Sequence, residues 1–244
     1  MMKILAIGNS FSDDATRYLY AVARADGYPM QVANLYIGGC SLALHHKNMQ
    51  TGERAYTLGY NGHMTGFSVS MEEGLTNRAW DVVTVQQASH ESFNPATYTP
   101  YGEELAAYIR EKAPTARLIV HQTWAYEKDS ERLHQVAGYD RAEDMLADVV
   151  RSYAGFAARI QADGIIPSGE MLAALLQNGI ERVHRDTFHA SLGAGRYALA
   201  LLWYRMLTGK RVAAIPFADL DEPIDPKAVD IIKATVDGFA PISN

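Results

Sequence analysis

Lys3-Ile4-Leu5-Ala6-Ile7-Gly8-Asn9-Ser10-Phe11-Ser12-Asp13-Asp14 is the stretch whose reading decides the fold class. Lys3–Ile7 is a short, nearly continuous apolar run, as expected of a strand covered on both faces. Gly8-Asn9-Ser10 then breaks the run with turn-forming residues. Ser12 is an N-cap candidate, and Asp13 and Asp14 would complement the first turn of a helix predicted over Asp13–Gly27, where Gly27 ends it. Strand, tight turn and helix in that order open a βαβ unit.

The same alternation recurs along the chain. Strands are predicted at Gln31–Ile37, Val82–Gln86, Arg117–Gln122 and Gly164–Pro167. Helices are predicted at Tyr101–Ala113 (stopped by Pro114), Arg141–Asp163, Ser168–Asn178, Ser191–Gly209 and Pro226–Phe239. The expectation is an α/β protein with a parallel sheet between helical layers. Two stretches break the pattern. Leu42–Gly74 is rich in Gly, Asn and His and has no sustained period, so it reads as a long surface insertion able to act as a lid; Tyr126–Tyr139 is charged and reads as a second excursion. With no repeat, low-complexity tract or linker, the expectation is one domain over residues 1–244 with an insertion at about 42–74.

Composition narrows the function. Of 244 residues, 48% are apolar and 20% charged, which excludes a disordered tail or a fibrous repeat. A net charge of −6 without Lys/Arg clusters gives no footing for nucleic acid or an anionic membrane. The lone Cys40 excludes an internal disulfide and a thiolate zinc cluster. The opening apolar run is too short for a secretory signal, and no stretch reaches the ~18 apolar residues of a membrane span. A cytoplasmic location is therefore expected.

In an open parallel sheet, ligands bind beyond the carboxyl ends of the strands. The residues falling there are Gly8-Asn9-Ser10, Gly38-Gly39-Cys40-Ser41, Gln87-Ala88-Ser89-His90, Thr123-Trp124-Ala125-Tyr126 and, beyond the fifth strand and its helix, Asp186-Thr187-Phe188-His189. Ser10 is a nucleophile candidate, or merely a helix cap. Asp186 and His189 could form an oriented acid–base pair, or a surface pair capping the last helices. Gly39 could bring a backbone N–H close to an oxyanion or simply make a turn, and the Gln87 amide could donate alongside it or satisfy nearby backbone. Trp124 and Tyr126, with His121 and Gln122, could form an aromatic platform for a sugar ring or pack in the core.

Taken together, these blocks resemble the SGNH (GDSL-type) hydrolase superfamily. More narrowly they resemble a subgroup, largely a domain of unknown function, whose first block reads Gly-Asn-Ser-Phe-Ser. The matching blocks are Gly8–Ser12, Tyr36–Ser41 around Gly39, Trp80–His90, and Asp186–Ser191 followed by Gly193 and Tyr197. The resemblance implies a three-layer α/β/α sandwich with a five-stranded, flavodoxin-like parallel sheet. It implies Ser10 as nucleophile, His189 as general base and Asp186 as its orienting acid, with an oxyanion hole from the N–H groups of Ser10 and Gly39 and one side-chain amide. The family's third-block Gly-x-Asn-Asp is absent, so that amide role goes to Gln87, with Ser89 or His90 as substitutes. Asn9 stands where the superfamily usually has Asp.

The expected activity is a serine esterase acting on small acyl esters, O-acetyl groups on carbohydrate first among them, with Asn9, Ser89, His90, Trp124 and Tyr126 lining the substrate. No cofactor is implied, the partner is a small-molecule or glycan ester, and a homo-oligomer is left open. Two rivals remain: a non-catalytic carbohydrate-binding domain, suggested by the altered third block, and a metal site drawn from His45, His46, His63, His90, His184, Asp186 and His189. No metal-ligand spacing favours the latter.

Overall fold

The computed structural model describes residues 1–217 and 219–243. In chain order the elements are β1 (Met2–Gly8), α1 (Ser10–Thr16), α2 (Leu19–Ala25), β2 (Met30–Tyr36), α3 (Leu42–Thr51), β3 (Tyr56–Tyr60), β4 (His63–Val69), α4 (Met71–Thr76) and β5 (Val82–Val85). After a short 3-10 turn come α5 (Tyr101–Lys112) and β6 (Arg117–Gln122), then a π-helical turn over Arg132–Ala137. The chain continues with α6 (Ala142–Arg159), β7 (Gly164–Pro167), α7 (Ser168–Gln177), α8 (Ala194–Thr208) and α9 (Pro226–Asp237).

The sheet runs β4-β3-β2-β1-β5-β6-β7. Its β2-β1-β5-β6-β7 part is the expected five-stranded parallel sheet, while β3 and β4 add antiparallel to the free edge of β2. Strand residues alternate between the two helical layers. Ile4, Ala6, Val82 and Ile119 pack with α2, α7 and α8, whereas Leu5, Ile7, Val83 and Val120 pack with α5 and α6. That pleat alternation, with both sets fully buried, is why the strands read as continuous apolar runs.

Leu42–Gly74 is not a loop. It holds α3, the β3–β4 hairpin and the start of α4, and it widens the sheet to seven strands. The hairpin turns on Asn61-Gly62, both at positive φ (50° and 86°), the two-residue turn that matches strand twist. Gly62 is required there for a second reason: a Cβ on it would come within 2.1 Å of the Arg17 carbonyl oxygen. Arg17 lies between α1 and α2, so the helix predicted as one piece over Asp13–Gly27 is two. Ser12 does not cap it. Asn9 does, accepting from the Phe11 N–H at 3.0 Å, while Ser12 lies buried inside α1 with its Oγ 2.8 Å from Asn34 Oδ1. Among the described residues, no helix is long and apolar enough to cross a membrane.

Candidate active site

Because β1 pairs with β2 on one side and β5 on the other, the segments after these three strands share one rim. The chain leaves β1 toward α1 on one face and crosses to the opposite side for β5, so the rim includes the point where strand order reverses, where open α/β sheets place their sites. Ser10 is the first residue of α1. Its Oγ lies 2.9 Å from His189 Nε2, and His189 Nδ1 lies 2.8 Å from Asp186 Oδ2. Asp186 Oδ1 also accepts the His189 backbone N–H at 2.9 Å. A carboxylate accepts only, so Nδ1 carries the proton and Nε2 is left as the acceptor for the Ser10 hydroxyl. Partial burial works against ionisation of Asp186, but the His189 hydrogen bonds and the nearby Arg185 charge outweigh it and hold its carboxyl below the usual range.

The turn that joins Asp186 to His189 is strained. Thr187 sits at φ +72°, unusual for a β-branched residue, and it stays there because its neighbours are pinned. The Thr187 carbonyl accepts from the Glu127 N–H at 2.7 Å, and the Phe188 carbonyl accepts from the Trp124 indole N–H at 2.7 Å. From below, Asp14 holds the same loop. It is fully buried and takes hydrogen bonds from Arg185 Nη1 (2.8 Å), Arg196 Nε (2.8 Å) and the Ala190 N–H (3.0 Å). Asp14 is one turn after Ser10, so one short helix carries Ser10 and anchors the loop of His189. The sequence reading treats Asp14 as a first-turn acid; its two arginine partners are more than 170 positions away.

A buried polar chain braces the Ser10 turn from behind. Asn9 Oδ1 accepts from the Phe11 N–H and from Gln86 Nε2 (2.8 Å), and Asn9 Nδ2 donates to the Cys40 carbonyl (3.0 Å). The backbone donor at Phe11 fixes the rest of the order: Gln86 Oε1 must accept from His121 Nδ1–H (2.7 Å), and His121 Nε2 must accept from the Ser168 hydroxyl (3.0 Å). Gln86, His121 and Ser168 were not singled out for this role. The available signal was a polar run, Gln86-Gln87 and His121-Gln122-Thr123, at the ends of two apolar strands, where a buried polar group needs a partner.

His121 is wholly buried, which pushes its pKa from 6.5 down to about 3. His45, buried between Cys40 and the Tyr56 hydroxyl (2.9 Å), behaves alike at about 3. Both are neutral in the fold and protonated in the unfolded chain below pH 6.5. The unfolded state then binds more protons, so stability falls as pH drops from 6.5 toward 3, by ~1.4 kcal/mol per pH unit for each. Urea unfolding of His121→Gln at pH 7 and pH 5 should show a shallower loss than wild type; an identical slope would refute the assignment.

Several sequence-derived roles need correction. Gln87 is fully buried, its Oε1 accepting from Leu42 N (2.9 Å) and Ala88 N (2.8 Å) and its Nε2 donating to Thr97, so its amide has nothing left for an oxyanion. Asn9 is likewise spent on scaffolding. Trp124 stacks on Phe11 at 4.0 Å in the core rather than forming a platform. Tyr126 is buried with its hydroxyl 3.1 Å from Ser89 Oγ, and of the five residues expected to line the substrate only His90 is exposed. Trp124 and Tyr126 also face a cavity of about 480 Å³ between α6 and α7, whose walls include none of Ser10, Asp186 and His189. His46 pairs with Glu104 at 2.6 Å, and among the described residues no group of His, Cys, Asp or Glu is placed to hold a metal ion. Gly39, by contrast, is exposed at φ +63° beside the Ser10 turn, to which the Asn9–Cys40 hydrogen bond ties its loop. Among the described residues neither the Gly39 N–H nor the Ser10 N–H donates to a protein atom.

With strand order, blocks and geometry agreeing, the sequence matches the family described as a domain of unknown function, DUF4886, over residues 3–237. This chain belongs to the DUF4886 family. A DUF4886 family protein from Bacteroides uniformis has a solved structure 32% identical in sequence, with a TM-score of 0.91 over 97% of this chain and 93% of that one. A candidate SGNH hydrolase from Slackia heliotrinireducens is 24% identical, with a TM-score of 0.60 over 84% and 97% of the two chains. Axe2, an acetylxylan esterase from Geobacillus stearothermophilus, shares the fold at 15% identity, with a TM-score of 0.54 over 84% and 93%. No curated protein sequence matches the chain. This DUF4886 protein therefore has the SGNH hydrolase fold, the resemblance read from its four blocks.

Proposed function

We propose that this DUF4886 protein is a serine esterase that removes small acyl groups, O-acetyl above all, from carbohydrate. The observation that carries the reading is the unbroken hydrogen-bond chain from Ser10 through His189 to Asp186. As Ser10 Oγ attacks the ester carbonyl carbon, its proton passes to His189 Nε2, and Asp186 stabilises the imidazolium. The carbonyl oxygen becomes an oxyanion, for which the N–H groups of Ser10 and Gly39 are the donors. Collapse breaks the bond to the alcohol oxygen, which takes the proton from His189 and leaves. Water, deprotonated by the same imidazole, then cleaves the acyl-serine and returns the proton to Ser10. That a neighbour of this fold is an acetylxylan esterase supports acetylated sugars as the first substrates to try.

A fluorophosphonate probe tests the reading directly, since it labels only an activated hydroxyl. Labelling is expected at Ser10, to be lost in His189→Ala, and to accompany acetate release from acetylated xylooligosaccharides. Absence of both labelling and acetate release, with sugar binding retained, would point instead to a carbohydrate-binding domain.

A further inference from the structure

We propose that Arg132 recognises a carboxylate on the alcohol part of the substrate, so that the esters this site takes are those of acidic sugars. The inference rests on the esterase reading and deepens it. Arg132 opens the π-helical turn that follows β6. Its guanidinium carbon lies 3.8 Å from the centre of the Phe188 ring and 5.6 Å from that of Tyr126. The Phe188 ring in turn lies 3.8 Å from the His189 imidazole. Two short steps through one aromatic ring thus link a cation to the catalytic base.

Among the described residues no carboxylate comes within ion-pair range of Arg132, and its guanidinium donates to no protein oxygen. The arginines beneath the His189 loop differ: Arg185 and Arg196 share Asp14, and Arg196 in turn shares Asp221 with Arg17. Glu127, Asp129 and Glu131 belong to the same segment and still make no ion pair with it. Nor is the side chain loosely placed. The next residue, Leu133, is fully buried and its N–H donates to Ser130 Oγ at 3.2 Å. Ser130 Oγ donates to the Glu127 carbonyl at 2.7 Å, and Glu127 is bonded to Thr187 in the His189 loop. With its carbon 3.8 Å over the Phe188 ring, the guanidinium has N–H donors to spare, and its fork fits a carboxylate bidentately. An acetyl group carries no further charge, so the carboxylate would be on the alcohol.

The test compares methyl glycosides of O-acetylated galacturonic acid and O-acetylated galactose, a pair that differ only in the acid. Wild type should prefer the acidic ester. Arg132→Gln should lower the acidic-to-neutral ratio of kcat/KM by about tenfold or more, mainly through KM, and Arg132→Lys should restore part of it. A merely structural Arg132 would change both esters alike, and an unchanged ratio overturns the proposal. Calorimetry on Ser10→Ala with methyl galacturonide separates this idea from the esterase reading. If wild type cleaves neither ester but galacturonide binding still depends on Arg132, the anion site stands and the esterase reading falls. If binding does not depend on Arg132, the anion site falls.

Discussion

Replacing Ser10 with alanine is expected to lower turnover of p-nitrophenyl acetate by about 10⁴-fold or more while leaving the melting temperature within a degree or two of wild type. The size follows from what is removed. Without Oγ no acyl-enzyme can form, and only the oxyanion donors and substrate binding remain to act on direct attack by water. The stability expectation follows from the contacts: Ser10 Oγ makes one hydrogen bond, to His189, and sits only partly buried. On the proposed mechanism Ser10, His189 and Asp186 act as a unit, so Ser10→Ala/His189→Ala should be scarcely slower than Ser10→Ala alone. Turnover near wild type in Ser10→Ala would end the esterase proposal, whatever the folding data say.

Asp14→Ala should be the most damaging change to the fold among the residues around the site. It would leave Arg185 and Arg196 without their shared carboxylate and the Ala190 N–H without its acceptor, all against a fully buried position. Removing one partner of a buried ion cluster typically costs about 3–5 kcal/mol, which for a chain of this size lowers the melting temperature by roughly 10 °C. Activity should fall with it, because the Ala190 bond holds the residue next to His189. Arg196→Ala leaves Asp14 its hydrogen bonds from Arg185 and the Ala190 N–H, so it should cost more than an exposed pair but less than Asp14→Ala. A loss under 1 kcal/mol for Asp14→Ala in urea unfolding would show that the cluster does not hold the loop.

Local pattern carried far in this chain. The parallel strands and most helix boundaries were readable within two or three residues because apolar runs and helical spacing report burial directly. The meeting of Ser10, Asp186 and His189 could be expected because Ser10 directly follows a strand and an Asp-x-x-His turn puts a carboxylate within reach of an imidazole. The β3–β4 hairpin was missed although Asn61-Gly62 announces it. The flanking residues are mostly exposed on β4, so no apolar alternation marked them as strand. Gln87 was misassigned for a different reason: a side-chain amide looks the same in sequence whether it faces a ligand or braces Leu42, Ala88 and Thr97.

What the amino-acid order determined was everything set by neighbours: the strand–turn–helix at Ser10, the alternation that makes a parallel sheet, the absence of a thiolate zinc cluster, and the Asp-x-x-His turn. Tertiary structure alone decided which polar groups were already satisfied. It spent Asn9, Gln87 and Trp124 on the scaffold, placed Asp14 beneath the His189 loop, and left Arg132 with a ring beneath it and, among the described residues, no counter-ion. The physical reason is that hydrogen bonds and ion pairs saturate. Whether a side chain is free to act depends largely on partners brought from as far as 182 residues away, and spacing along the chain holds no record of them.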